Sequence, residues 1–171
     1  DEHLLLGGKN DLGDAMVMKL TKSGQEIWTI TLASTNDEEV QAIAEDEDGD
    51  IYLGIQSKPP GELYYNRVLQ KIDASGAMLW RTEFPGNENN IYSVGNITVV
   101  NGNEGILVAG MGQPQLLRLD AEGSTVWSDT LANNYFPIAA TEDPEGNFAV
   151  TGAVYSNDIY FGDVFLLNIT E

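Results

Sequence analysis

The chain has no cysteine, a single histidine, and only eight basic residues against 27 acidic ones, which leaves a formal charge of −19 over 171 residues. The lack of cysteine excludes disulfides, thiolate metal sites and a cysteine nucleophile together. It does not fix the compartment, because a chain of this length buries enough surface to do without disulfides. One histidine cannot build a typical zinc cluster, and His3 stands at the edge of a strand with no partner for a nucleophilic triad. It is expected to be a solvated strand residue. The shortage of Lys and Arg argues against nucleic acid and anionic membranes, which repel a surface of this sign. The same acidity serves solubility in a secreted or salt-exposed protein. No apolar run approaches the roughly 18 residues of a membrane span, so membrane insertion is not expected. The opening residues, Asp1-Glu2-His3, lead straight into a strand-like run, so a targeting segment is expected upstream or already removed. The glycines stand singly, so no phosphate-binding glycine loop is present.

What is abundant is repetition. Lys19 to Trp28, Lys71 to Trp80 and Arg118 to Trp127 are three copies of one pattern, a strand, a Gly-containing turn (Gly24, Gly76, Gly123) and a second strand ending its first half in tryptophan. The tryptophans stand 52 and 47 residues apart, from Trp28 to Trp80 and from Trp80 to Trp127. Self-similarity at such a period marks propellers and solenoids.

Each copy divides into four candidate strands, a to d, rich in β-branched and aromatic residues and bounded by turn residues. Strand b is 3–8, 50–55, 105–110 and 147–152; strand c is 15–20, 67–72, 115–119 and 164–169. Strand d is 26–32, 77–84 and 125–131; strand a is 39–45, 91–100 and 136–142. The expectation is an all-β propeller segment of about four antiparallel blades and 14 strands, one domain over 1–171 with copies at about 1–32, 39–84, 91–131 and 136–171. The first copy lacks strand a and the last lacks strand d. That imbalance leaves exposed edges, so further blades from a parent chain or another chain are expected.

Successive turns of a meander fall at opposite ends of the sheet. The a–b and c–d connections are short and alike, with Gly supplying the positive φ of a tight hairpin at Gly24, Gly76 and Gly123. The b–c and d–a connections vary in length and composition. Loops held on a rigid scaffold commonly carry function, so the diversified end is where a ligand is expected.

The stretch Val68 to Trp80, with Lys71-Ile72-Asp73, Gly76 and Trp80, resembles the repeat of bacterial β-propellers of the quinoprotein-like and secreted propeller-repeat type. Leu117 to Trp127 matches as well. Val17 to Trp28 departs in having Thr21 for the aspartate, and Phe165 to Thr170 matches in part, with Asn168 for the basic residue. The resemblance implies that Trp28, Trp80 and Trp127 dock between blades. Quinoprotein dehydrogenases would also show adjacent cysteines and a cofactor-binding set; their absence from the sequence turns the expectation toward the non-enzymatic members, which act as surface or periplasmic binding scaffolds.

The candidate ligand residues are the aromatics of the variable links, Tyr64 and Tyr65 in one and Tyr155, Tyr160 and Phe161 in another. Aromatics beside polar groups suit protein or carbohydrate surfaces, and the same rings folded over a blade would be lids. Asp46-Glu47-Asp48-Gly49-Asp50 is the one place where calcium is weighed, without the downstream glutamate of an EF-hand loop. No other cofactor is expected. Asn96-Ile97-Thr98 and Asn168-Ile169-Thr170 spell glycosylation acceptors, but both fall on strands. The functional expectation is a non-catalytic, extracytoplasmic binding or assembly scaffold. The alternative is a propeller-fold carbohydrate-active hydrolase or lyase using loop carboxylates.

Overall fold

A computed structural model of the chain describes residues 3–87, 93–132, 134–154 and 163–169. Fourteen strands form four antiparallel sheets among these residues. The first sheet is β1 (His3–Lys9), β2 (Ala15–Thr21) and β3 (Glu26–Leu32). The second is β4 (Asp37–Glu45), β5 (Ile51–Lys58), β6 (Asn66–Ile72) and β7 (Met78–Phe84). The third is β8 (Asn96–Val99), β9 (Ile106–Ala109), β10 (Leu116–Leu119) and β11 (Thr125–Asp129), and the fourth is β12 (Tyr135–Glu142), β13 (Phe148–Val154) and β14 (Asp163–Ile169). Within each sheet, strands neighbour one another in chain order. The first strands of successive sheets, β4, β8 and β12, pack side by side, and β1 packs on β4. These are the blades of a propeller segment. No helix among the described residues is long and apolar enough to cross a membrane.

The blades stack because strand periodicity sends alternate residues to opposite faces. In β5, Ile51, Leu53 and Ile55 face the first sheet, joining Ala15, Val17 and Trp28 in one apolar cluster. Tyr52, one residue out of phase, faces the third sheet and joins Leu69, Ile106, Val108 and Trp80 in a second. Leu107, Ala109 and Leu116 turn the other way and pack with Phe148, Val150 and Trp127 in a third. The core is therefore three slabs between sheets, each containing one tryptophan. The two middle sheets are covered on both faces, which is why β5 and β9 read as nearly unbroken apolar runs.

One turn closes most hairpins at the end shared by the a–b and c–d connections. In 46–50, 73–77, 120–124 and 143–147 an aspartate Oδ1 accepts the backbone N–H groups two and four residues on. The fourth residue is a glycine with φ between 84° and 90°. This is a type I turn followed by a left-handed residue, with the aspartate replacing backbone partners. Thr21 does the same work in the first sheet, its Oγ1 accepting from Gln25 N–H at 3.1 Å. Copy three departs from the pattern: its a–b link holds a short 3₁₀ turn, Asn101–Asn103, with Asn103 itself at φ 59°. Its strand a is shorter than expected, beginning at Asn96, while 91–92 lie outside the described residues. Strand d of the same copy stops at Asp129 instead of 131.

Candidate functional site

The variable b–c and d–a connections share the opposite end of the stack. There, the loop after β1 and the link from β3 to β4 face each other across an open groove of about 710 Å³, lined by residues 9–14 and 34–37. That volume lies within the range of small-ligand sites, roughly 300–1,000 Å³.

Local chemistry explains both walls. Asn10 Oδ1 accepts the N–H of Leu12 at 2.9 Å and of Asp14 at 3.0 Å, and Gly13 takes φ 87°. This is the same turn as at the other end of the stack, with Asn in place of Asp, and it exposes Leu12 at its tip. The opposite wall is a Ser/Asn turn in which Asn36 N–H donates to Ser34 Oγ at 3.0 Å. The walls are tied by Glu38 N–H donating to Gly13 O at 2.7 Å and by Lys9 Nζ on Asp37 Oδ1 at 3.1 Å. The Asp37 carboxylate, by hydrogen bond and charge, holds the Lys9 ammonium above its ordinary value.

Beneath the groove a relay of hydrogen bonds runs into the blade interface. Asn36 Nδ2 donates to Ser57 Oγ at 2.9 Å, Ser57 Oγ donates to the fully buried Glu38 at 2.7 Å, and Arg81 Nη2 reaches the same Glu38 oxygen at 2.7 Å. A buried carboxylate is tolerated only when paired in this way. The consequence is a groove with a rigid floor and a lining of hydroxyls, amides and carboxylates, Asp11, Asp14 and Asp37 among them. Such a lining offers hydrogen bonds to hydroxylated or peptidic ligands.

Elsewhere at this end, Arg67 has no exposed surface and donates to Pro114 O at 2.9 Å and Met111 O at 2.7 Å. It fastens the b–c loop of the third blade to the second. Tyr64 and Tyr65 are half-buried and do not line the groove. Lys58 Nζ lies 5.2 Å from the Tyr65 ring centroid, and a Cβ added at Gly86 would run into the Tyr65 carbonyl, so link 85–87 lies close against the Tyr65 backbone. Tyr155, Tyr160 and Phe161 lie outside the described residues.

At the uniform end, Trp80 Nε1 donates to Ala121 O at 2.8 Å, in the c–d turn of the next blade, and its ring packs on Gly123 and edge-on against Tyr52. Trp127 meets Phe148 of the following blade edge-on at 6.1 Å. Trp28 lies in the cluster between the first two sheets, where Ile30 covers Gly76, while nothing lies within 4 Å of a Cβ built on Gly24. In the acidic turn weighed for calcium, Asp46 and Asp50 converge on Lys71 Nζ at 3.3 and 3.0 Å. Burial disfavours the Lys71 charge, yet hydrogen bonds to Tyr52, Asp50 and Asp46 hold its ammonium above the ordinary range. Tyr52 is itself raised by burial. His3 is not the solvated residue expected: it is half-buried, with Nε2 2.5 Å from Glu45 Oε2 of the second sheet. Asn96 lies on β8, its Oδ1 accepting from Ala140 N–H at 3.0 Å; Thr170 lies outside the described residues.

The groove was the feature least visible in the sequence. Its one signal was Asn10-Asp11-Leu12-Gly13-Asp14, which has the spacing of the other aspartate turns yet sits in a b–c connection.

No protein-family model matches the chain, and no curated protein does. Among solved structures the chain is similar to a protein of unknown function from Bacteroides caccae, at 16% identity and TM-score 0.55, over 86% of this chain and 52% of that one. It thus spans about half the length of that protein. A streptogramin B lyase structure is similar at 13% identity and TM-score 0.40, over 99% of this chain and 73% of the other. At these identities the likeness to the Bacteroides protein concerns the fold alone.

Proposed function

We propose that the chain is a non-catalytic binding module of an extracytoplasmic propeller-repeat protein, with its ligand held at the end formed by the b–c and d–a loops. The observation that carries this reading is the groove of about 710 Å³ between 9–14 and 34–37, whose walls are tied by Glu38 N–H and Gly13 O. Its lining is polar, its floor is braced by the Asn36–Ser57–Glu38 relay, and the chain's one histidine is held against Glu45, away from the groove-lining residues. A polar groove on a rigid scaffold favours a neutral, hydroxylated ligand such as an oligosaccharide, or a peptide segment, over an anion, given the charge of −19. The reading uses no metal or organic cofactor.

The test is binding to neutral oligosaccharide and peptide panels by the intact chain and by Asp14→Asn with Asn36→Ala. Capture weakened at least tenfold in the double variant, with the near-ultraviolet circular dichroism of the folded chain retained, supports the groove. Equal capture by both chains overturns it, and bond cleavage in the same panel would replace the binding reading with the hydrolase or lyase one.

A further inference from the structure

The second sheet departs from its neighbours at one buried place. Register aligns Glu38, which pairs with Ser57, with Tyr135, which pairs with Val154 in the fourth sheet, because Glu45 pairs with Ile51 as Glu142 pairs with Phe148. It likewise aligns Gln70, opposite Leu53, with Leu117, opposite Val108, and with Leu167, opposite Val150. Tyr135, Val154 and Leu167 pack in the third apolar cluster and Leu117 in the second, so blade stacking is satisfied by apolar side chains at these positions. In the second sheet, Glu38 and Ser57 have no exposed surface and Gln70 is 3% exposed. They join Arg81 in a polar network, Arg81 Nη1 donating to Gln70 Oε1 at 3.0 Å and Nη2 to Glu38 Oε1 at 2.7 Å. Glu38 Oε2 is buried without a hydrogen-bond partner. Well-packed apolar residues commonly replace a buried ion pair without loss of stability, and an unbonded buried oxygen carries a desolvation cost. Stability therefore does not account for the network, which reaches the groove through Asn36.

We infer that Glu38 and Ser57 are positioning residues that hold the Asn36 amide with its carbonyl toward the groove, so that the groove selects its ligand by hydroxyl donors and takes an oligosaccharide over a peptide. The inference rests on the groove being the ligand site. Hydrogen-bond polarity carries it. A carboxylate paired with a guanidinium only accepts, so the single Ser57 hydroxyl proton goes to Glu38 Oε1 at 2.7 Å. Ser57 Oγ is left to accept, and takes Asn36 Nδ2 at 2.9 Å. The amide is planar, so Oδ1 is turned away from the buried Ser57 and toward the groove that Asn36 lines, with the Thr35 hydroxyl 3.5 Å from it. Two carboxylates of the same lining add acceptors: Asn10 occupies Asp14 Oδ2 and Lys9 occupies Asp37 Oδ1, which leaves Asp14 Oδ1 and Asp37 Oδ2. A hydroxyl rotates to donate to whichever acceptor faces it. An extended peptide alternates N–H with C=O and would set carbonyls, unpaired, against these oxygens.

Orientation and capture are tested separately on the full chain. By amide nuclear magnetic resonance, one Asn36 side-chain amide proton of the intact chain is expected to exchange slowly with solvent, and Ser57→Val to abolish that protection. On panels of neutral oligosaccharides and of uncharged, end-capped peptides, the intact chain is expected to retain oligosaccharides, and Ser57→Val to weaken that capture about tenfold, the equivalent of one aligned hydrogen bond. Ser57→Thr, which keeps the hydroxyl, restores capture, and in an Asn36→Ala background Ser57→Val has no further effect. Glu38→Leu, Ser57→Val and Arg81→Leu together weaken capture as much without lowering the melting temperature. Near-ultraviolet circular dichroism establishes that each variant is folded, and the triple variant stands in for Ser57→Val if that one is not. An Asn36 amide that exchanges freely in the intact chain, capture unchanged by Ser57→Val, or an equal loss in the Asn36→Ala background overturns the inference and leaves the groove standing. Retention of peptides in place of oligosaccharides does the same. Capture of neither panel by a chain whose Asn36 proton is protected overturns the groove reading itself, and the choice of ligand with it.

Discussion

At one end of the stack the connections 21–25, 46–50, 73–77, 120–124 and 143–147 solve the same problem in nearly the same way. At the other, 9–14, 59–65 and 110–115 solve it in three different ways. The uniform end is constrained because its turns are also packing surfaces: Gly123 touches the Trp80 ring, Ala121 O receives its indole N–H, and Asn103 Nδ2 reaches Asp48 Oδ2 of the neighbouring blade at 2.9 Å. A residue that must satisfy both its own hairpin and a neighbour has few substitutes. The variable loops are fastened at a few points, such as Arg67 to the carbonyls of Met111 and Pro114, or Glu38 to Gly13 and Lys9 to Asp37, and between those points their composition is less constrained. Sequence has the most room to vary at that end.

This contrast is sharpest at two glycines with the same backbone. Gly24 and Gly123 have φ 83° and 84°, yet a Cβ at the first meets nothing within 4 Å and at the second lies 2.7 Å from the Trp80 ring. Gly123→Ala is expected to cost about 3 kcal/mol, combining left-handed strain with overpacking. Gly24→Ala carries the strain alone, about 1 kcal/mol. Equal denaturant midpoints for the two would break the argument that uniformity comes from inter-blade packing.

Arg67→Met tests the fastening of the variable end. Removing two charge-assisted bonds to carbonyls is expected to cost about 2 kcal/mol and to raise hydrogen exchange selectively in 110–115. A global stability loss without local exchange would mean that Arg67 serves packing and not the loop.

A smaller effect separates the two ends by function. Asp120→Ala and Asn10→Ala each remove an acceptor of two backbone N–H groups and are expected to cost about 1 kcal/mol apiece. Only Asn10→Ala should also weaken ligand capture, since only that turn forms a wall of the groove.

The smallest effect is electrostatic. Asp73 is held below its ordinary value of 3.8 by the Ser75 hydroxyl and the Ala77 N–H, and Asp143 by the Asn147 N–H and side-chain amide. A carboxylate whose folded-state pKa lies below its unfolded value adds stability above the unfolded value and loses it as pH falls through the folded one. Melting temperature should therefore decline below about pH 4, and less steeply in the Asp73→Asn, Asp143→Asn double variant. Identical slopes would show that these turns hold by geometry and not by charge.

The fold was legible because its signals are local and recur. A tryptophan, a Gly turn and alternating apolar strands sum over copies, so an error in one is corrected by the others, and strand d of the first copy appears at its expected bounds, Glu26–Leu32. Copy three was the least legible: its a–b link replaces the aspartate turn with Asn101-Gly102-Asn103, and its strand a shrinks to Asn96–Val99. The candidate site was barely legible. Aromatics drew notice to Tyr64 and Tyr65, which are half-buried and do not line the groove, whereas the groove assembles from Asn10 and Asn36, polar residues of no distinctive pattern. His3 was misjudged for the same reason, as its partner Glu45 lies 42 residues away.

The order of the strands and the positions of most of their turns follow from the sequence alone, because hairpin closure and side-chain alternation act between near neighbours in the chain. Which turns touch, and which carboxylate is buried beneath which loop, were decided only by tertiary packing, because these depend on residues brought together by the stacking of separate sheets.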